Sequence, residues 1–412
     1  MKYDVIIIGG GPAGMMAAGR AGVLGARVLL LEKNKSLGIK LLATGHGRCN
    51  LTNMSADKKE TISCYGKNSK FLMSAFHRFG VEETLDFFKE RGVVTKVEDN
   101  GRVFPKSDKA RDVLQVLVDY LIENNVEIKY NSTVQNVIKK DDKIEKIILE
   151  NGEELMADKF VISVGGQSYP GTGSTGDAYV WLTELGHTVI KPRPALTSLI
   201  LTDNFIKAVE GVSLQNVGIV LKNDNKKILS KNGSLIFTAD GVSGPAIIDM
   251  SREIDLTVPS KFSLSLDLLP QTSEADLDVQ FQKEFQRDGN KMIKNSLTPL
   301  APSRLGVLLL WLLNIDPEKP LSIMTKDERK GIVRLLKNFV LEIKDVKGFD
   351  KAMITAGGVD TREVDPKTMQ SKIISNLYFA GEILDLDGPT GGYNLQICWS
   401  TGYVVGEALA NS

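Results

Sequence analysis

Gly9, Gly11 and Gly14 stand in the spacing G-x-G-x-x-G within Gly9-Gly10-Gly11-Pro12-Ala13-Gly14. That spacing suits a diphosphate. One glycine permits a tight turn, one lets the anion approach the backbone, and one lets a helix pack closely on a strand. The flanks supply the required context. Val5-Ile6-Ile7-Ile8 is an unbroken β-branched run and predicts a strand buried on both faces. Met15-Met16-Ala17-Ala18 are helix formers, so Pro12 and Ala13 open a helix whose positive end faces the anion. Arg27-Val28-Leu29-Leu30-Leu31 predicts a second strand, ending in Glu32 and Lys33. An acid about 20 residues beyond such a loop accepts hydrogen bonds from a ribose diol. Glu32 fits this role, and Lys33 is placed at the same end of the site. The chemistry implied is dinucleotide binding, and these residues alone do not separate FAD from NAD.

A second segment runs from Gly38 to Asn53 and mixes glycines, small polar residues and the cations Lys40 and Arg48. Such a segment can lie along a phosphate, donating backbone N–H groups and charge-assisted hydrogen bonds. A solvated loop with incidental charge is the alternative, and composition leaves both open. Residues 40–53, KLLATGHGRCNLTN, resemble the signature of the BaiN-like (YhiN-type) flavoprotein family. Its members are FAD-dependent, NAD(P)H-linked oxidoreductases, more distantly similar to flavoproteins of the fumarate-reductase type. The resemblance implies FAD contacts from Lys40, Leu41, Gly47, Arg48, Cys49 and Asn50. Without a nearby partner cysteine, Cys49 reads as a packed thiol or flavin neighbour rather than a redox residue.

Two further returns of the chain to the cofactor are expected. In FAD-binding relatives the position of Val134, in Thr133-Val134, meets the adenine edge. Gly165 and Gly166 follow the apolar run Phe160–Val164, and paired glycines after a strand permit close approach of a ligand. Tyr169 and the Gly171–Gly176 loop are candidate flavin- or substrate-side elements. Near the C-terminus, Asn376–Phe379 predicts a strand running into Gly381-Glu382, followed by Gly391-Gly392-Tyr393-Asn394-Leu395 and a helix from Ile397 to Ala410. In two-part FAD sites the acid after that strand meets the ribityl chain. The next helix then points its positive end at the flavin carbonyl and favours the anionic reduced ring. Asn394 is the expected cap. The usual acid is Asp; Glu382 stands here, as in the resembling family. An NAD-only dehydrogenase needs no such second cradle, which favours FAD.

The elements that must hold these residues follow from periodicity. Residues 69–91 and 107–125 read as helices, and 126–150 as strands turning at Asp141-Asp142-Lys143. From Lys191-Pro192-Arg193-Pro194 the pattern changes. Residues 199–228 and 264–269 look strand-rich; 273–287, 302–314 and 326–338 look helical. The expected fold class is α/β: a Rossmann-like FAD-binding domain, similar to glutathione reductase and fumarate reductase, with an inserted β-barrel-like plus helical region. The boundaries expected are 1–190 with 352–412 for the FAD-binding domain, 191–270 with 340–351 for the β-rich insert, and 271–339 for the helical insert.

Composition excludes several classes. Of 412 residues, 42% are hydrophobic and 25% charged, ordinary for a globular chain. Lys plus Arg and Asp plus Glu are 51 each, so no global field draws a polyanion or an anionic membrane. Three cysteines without CxxC spacing and three histidines argue against a disulfide framework and a metal site. Apolar runs are too short to span a membrane, and no signal peptide is visible, so a cytoplasmic enzyme is expected. Gly241-Val242-Ser243-Gly244-Pro245 is not a nucleophile elbow, because Pro245 replaces the last glycine. The expected function is hydride transfer through flavin N5, with NADH or NADPH as reductant and a small organic substrate. Related reactions are reduction of steroid-like enoyl C=C bonds and amine oxidation. An FAD-dependent RNA-modifying enzyme is the alternative from another class, and a non-catalytic flavin-binding protein the third. Tyr169, His46, Arg48 and Tyr393 are proton-donor candidates by chemistry alone.

Overall fold

A computed structural model describes residues 3–54 and 58–410. The chain forms two compact units, one built from residues up to Pro194 and from Ala352 onward, the other from Ala195–Lys351. Among the described residues, no helix is long and apolar enough to cross a membrane.

The first unit is organised by a five-stranded parallel sheet. Its strand order is Leu377–Phe379, Ala157–Ile162, Tyr3–Ile8, Val28–Leu31, Glu127–Lys129. Val5 to Ile8 and Val28 to Leu31 are buried on both faces, as unbroken β-branched and leucine runs require. The chain enters at the central strand and leaves to one side, then returns on the other. That reversal opens a crevice at the carboxyl ends of the strands. Helix Pro12–Val23 follows the first strand directly, with Pro12 at its first turn and Gly11 as its cap. The C-terminal helix Tyr393–Ala410 lies along it with little between the backbones. A methyl on Gly402 would come 2.5 Å from the Ala13 carbonyl oxygen, and one on Gly406 2.8 Å from that of Ala17.

The second unit is a closed six-stranded barrel, in the order Leu199–Leu201, Gly241–Ser243, Lys226–Thr238, Ser213–Asn223, Phe262–Asp267, Phe339–Val346. Closure leaves no sheet edge. Between its last two strands lie helices Glu274–Arg287, Ile293–Leu297, Ser303–Leu312 and Lys326–Lys337. Ser273 and Thr325 cap two of them, each accepting from the backbone N–H three residues on. Ser243 lies on a barrel strand and accepts a hydrogen bond from Ser198, 2.8 Å.

Two helix expectations need correction. The stretch 69–91 is two helices, Ser69–Arg78 and Val81–Glu90. Gly80 breaks it: its N–H is held by the Glu83 carboxylate at 2.8 Å, and its bare Cα lies against the Phe76 carbonyl. The C-terminal helix starts at Tyr393, not Ile397. Tyr393, Asn394 and Leu395 therefore form its first turn.

Candidate functional site: a cleft at the carboxyl end of the sheet

The strand–loop–helix turn at Gly9–Gly14 opens onto a cleft of about 1330 Å3 of empty volume, its mouth included. The three glycines of the motif do three different things. Gly9 has φ +109°, and a methyl there would lie 2.6 Å from the Ser163 carbonyl oxygen. A methyl on Gly14 would strike the Gly9 carbonyl and come 2.6 Å from Ser163 Oγ. These two positions hold strand, helix and neighbouring strand together. Gly11 is different. Nothing lies within 4 Å of where its side chain would be, and its backbone is ordinary and extended (φ −80°, ψ −178°). Its missing side chain is a seat open to the cleft, at a helix N-terminus whose first N–H groups have no partner in the helix. A diphosphate fits that seat.

Of the residues expected to meet the cofactor, Gly9, Gly11, Pro12, Ala13, Glu32, Lys33, Lys40, Leu41, Val134, Gly165, Glu382, Asn394 and Leu395 line this one cleft. They come from seven separate stretches of chain. Glu32 is buried at the end of its strand. Its Oε2 accepts from the Gly10 N–H (2.9 Å), and its Oε1 accepts from the Asn34 N–H (2.8 Å) and side-chain amide (2.7 Å). A carboxylate offers about four acceptor sites, so one remains on Oε2. Gly10, which the motif leaves unspecified, has little room for a side chain, because a methyl there would meet Leu37 Cδ2 at 2.3 Å and Glu32 Oε2 at 2.9 Å. Lys33 reaches Thr175 Oγ1 (2.6 Å) and Asp177 (2.7 Å), and Asn34 donates to the Thr172 carbonyl. Burial raises the Asp177 carboxyl, but the hydrogen bonds from Lys33 and Thr175 outweigh it and hold the group below its ordinary range. Thr172–Asp177 also line the cleft, so the Gly171–Gly176 loop is tied across its Glu32 end. Opposite, Lys40 pairs with Glu382 Oε2 at 2.8 Å, and the Thr355 N–H donates to Glu382 Oε1 at 2.7 Å.

The other expected residues do not reach the cleft wall, for visible reasons. Gly14 is consumed by helix–strand packing. Arg48 ion-pairs with Glu98 (2.8 Å) and Asp108 (3.4 Å) and lies over the Phe104 ring. Its charge is used on the small sheet Thr52–Asn53, Thr95–Val97, Arg102–Pro105. Gly47 is an exposed turn residue with φ +84°. Cys49 is fully buried, and burial pushes its thiol up to about 12. Asn50 turns a buried amide oxygen that has no partner among the described residues. Gly166 lies against Thr355, whose Cβ would be 2.5 Å from a methyl there. Gly381 packs on Ala13, and its N–H goes to Thr401 Oγ1. Gly391 and Gly392 let the chain pass the strand Thr52–Asn53; a methyl on Gly392 would sit 2.7 Å from the Thr52 Cα. Tyr393 stacks edge-on to Tyr65, and its carbonyl accepts from the Tyr65 hydroxyl. Asn394 lines the cleft but is no helix cap. Its amide closes the preceding loop, bonding Gly388 N–H (2.8 Å), Gly388 carbonyl (2.9 Å) and Pro389 carbonyl (3.2 Å).

The fold and the cleft agree with comparison to known proteins. Residues 3–408 match the family model described as the HI0933-like protein Rossmann domain. The chain belongs to this family. A 3-dehydro-bile acid delta(4,6)-reductase of Clostridium scindens is 34% identical over 98% of both chains. A ribosomal RNA dihydrouridine synthase of Escherichia coli is 31% identical over 99% of this chain and 98% of its own. Among solved structures, the 3-ketosteroid-delta4-(5alpha)-dehydrogenase of Rhodococcus jostii superposes with TM-score 0.56 at 16% identity, covering 100% of this chain and 97% of that one. That likeness is one of fold. The BaiN-like resemblance therefore holds, and the chain is an FAD-dependent oxidoreductase on a Rossmann-type FAD-binding domain.

The cleft thiol has a measurable consequence. Cys398 lines the cleft and is, like Cys49, pushed up to about 12 by burial. An unfolded thiol titrates near 8.5. A raised acid stabilises the fold below the unfolded value and loses that contribution as pH climbs toward the folded one. Stability should therefore fall between roughly pH 8.5 and 12. At pH 8 a thiol of pKa 12 is about one part in ten thousand thiolate. We expect an aromatic disulfide reagent to leave Cys49 unmodified in the native protein and to titrate all three cysteines in denaturant. Rapid modification of Cys49 in the native state would contradict its burial.

Proposed function

We propose that the protein reduces a C=C bond conjugated to a carbonyl, on a small organic substrate. The reading rests chiefly on its full-length relatives. A bile-acid delta(4,6)-reductase saturates an enone system, and a dihydrouridine synthase saturates the uracil C5=C6 bond beside a carbonyl. The two named reactions differ in substrate size and share one chemistry: hydride to the carbon β to a carbonyl, proton to the other.

FAD, when bound, supplies the two-electron carrier for that chemistry. The chain's own residues supply the seat. Backbone N–H groups at Gly11–Gly14 and the helix positive end would receive the diphosphate. Glu32 would offer its remaining Oε2 acceptor site to the adenosine ribose, and Val134 would border the adenine. Glu382, oriented by Lys40 and Thr355, would face the ribityl end, with Gly165 leaving room beside it. The loop Thr172–Asp177, tied to Lys33 and Asn34, would cover the ribose end and exclude water. NADH or NADPH is the proposed reductant. Since the second G-x-G-x-x-G, Gly171–Gly176, precedes helix Ala178–Glu184 but follows no strand directly, the nucleotide would dock without a Rossmann unit of its own.

A second substrate reading, a uridine in ribosomal RNA, is favoured by the named relatives of Escherichia coli and Haemophilus influenzae, at 31% and 30% identity. The balanced charge of 51 basic and 51 acidic residues supplies no global attraction to RNA and places it second. The test is direct. The FAD-loaded protein is reduced anaerobically with NADPH or NADH and mixed with a steroid enone, a simple cyclic enone, or ribosomal RNA lacking dihydrouridine. Reoxidation of the flavin band with a product 2 Da heavier is expected for an enone. Reoxidation by RNA alone would replace the first substrate reading with the second. Reoxidation by none of them would overturn the proposed reaction.

A further inference from the structure

Thr355 is a fully buried residue at the start of the strand Ile354–Val359. Sequence reading gives it no role, and it does not itself line the cleft. Yet its hydrogen bonds join two segments that do. Its Oγ1 accepts from the N–H of Gln167 at 2.7 Å and of Ser168 at 3.0 Å, and lies 3.0 Å from Ser168 Oγ. A hydroxyl oxygen has two lone pairs and one proton. Both lone pairs are taken by backbone donors, so the proton must point to Ser168 Oγ. No hydrogen-bonding capacity of this hydroxyl is left over. One atom away along the backbone, the Thr355 N–H holds Glu382 Oε1 at 2.7 Å.

We infer that Thr355 is a positioning residue that locks Glu382 and the Gly165–Ser168 turn into one rigid wall of the flavin seat. Gly166 is glycine to admit it: a methyl there would lie 2.5 Å from the Thr355 Cβ. With Gly166 pressed onto Thr355, Gly165 takes φ +78°, and a side chain there would lie 3.8 Å from Glu382 Oε2. Lys40 holds that same oxygen from the opposite segment. The carboxylate is thus fixed at both oxygens, one by a charge and one by a backbone donor whose own side chain is immobilised. A fixed carboxylate beside the cofactor tunes oxidised and reduced forms differently, which a freely rotating one does not. Valine matches threonine in shape but has no hydroxyl, so it leaves the Gln167 and Ser168 N–H groups unbound and releases the turn.

The inference rests on Glu382 facing the flavin, so the experiment separates the two. FAD affinity, ADP affinity as a probe of the adenosine half, and the flavin midpoint potential are measured for wild type, E382Q, T355V, T355S and S168A. We expect T355V to weaken FAD about tenfold, to leave ADP within twofold, and to shift the potential in the same direction as E382Q. T355S, which keeps the hydroxyl, should restore both within twofold. A T355V that lowers Tm while FAD affinity and potential stay at wild-type values, with E382Q shifting both, overturns the inference alone. An E382Q that changes neither overturns the placement of Glu382 and the inference with it. If T355V does not fold, S168A, which removes only the acceptor of the Thr355 proton, carries the test. A smaller shift in the same direction supports the clamp, and no shift overturns it.

Discussion

Gly11→Glu should give a folded protein without flavin. The backbone at Gly11 is extended and open to any L-residue, and nothing lies within 4 Å of the new side chain's first carbon. The apo-protein Tm should therefore stay within about 2 °C, since substitutions away from packing features cost roughly 0.5 kcal/mol or less. The carboxylate, however, enters the space offered to the diphosphate. It opposes the anion both sterically and by charge. Juxtaposed like charges cost several kcal/mol, and each 1.4 kcal/mol is tenfold in affinity. FAD binding should fall by about a hundredfold or more, read as loss of the visible flavin bands from the purified protein and by titration. Wild-type flavin content in G11E would place the diphosphate elsewhere and break the assignment of the whole cleft.

Gly14→Ala, three residues along the same motif, should do the opposite. There the added methyl strikes the Gly9 carbonyl and meets Ser163 Oγ at 2.6 Å. The clash is with backbone and with a serine whose hydroxyl donates to the Ile8 carbonyl at 3.0 Å, so no flexible tip can move aside. Helix Pro12–Val23 would have to lift from the central strand. Overpacking of this kind costs about 3 kcal/mol, and in a unit of this size each kcal/mol moves Tm by roughly 2–4 °C. We expect Tm to drop by about 6–12 °C even without cofactor, with lower soluble yield. An apo Tm unchanged by G14A would mean that the helix does not rest on the strand as described. Together the two variants separate the motif's binding glycine from its packing glycine.

Much of this site was legible in sequence, and what escaped did so for definable reasons. The strand–Gly-rich loop–helix at the N-terminus is a local pattern, and local patterns survive folding: Val5–Ile8, Gly9–Gly14 and Glu32 fall where spacing puts them. Helix starts were less legible. Tyr393–Leu395 looked like a loop with a cap because Gly391-Gly392 precede them, yet Asn394 bonds backward to Gly388 and the helix begins two residues after Gly391. Glycines were the least legible. Gly166, Gly381, Gly391 and Gly392 all permit close approach, but sequence does not say to what. In the fold they approach Thr355, Ala13 and the strand Thr52–Asn53. Arg48 is illegible in the same way, because its carboxylate partners, Glu98 and Asp108, are 50 and 60 residues away. Thr355 gave no signal at all. Its four hydrogen bonds, to Gln167, twice to Ser168 and to Glu382, span distances that no window of sequence contains.

The discontinuity of the first unit has a consequence for biosynthesis. Its central strand, Tyr3–Ile8, is made before the barrel unit, but the edge strand Leu377–Phe379 and the helix Tyr393–Ala410 come only after it. At about 5–20 residues per second, the gap is roughly 20–75 s. During that interval helix Pro12–Val23 lacks the surface made by Gly402 and Gly406, and the cleft lacks Glu382. The nascent chain thus holds its dinucleotide loop half-built while all six barrel strands are made. Cofactor loading is then a late event in the life of the molecule, and growth conditions that starve cells of riboflavin should leave an intact barrel attached to a loosely folded, protease-sensitive partner.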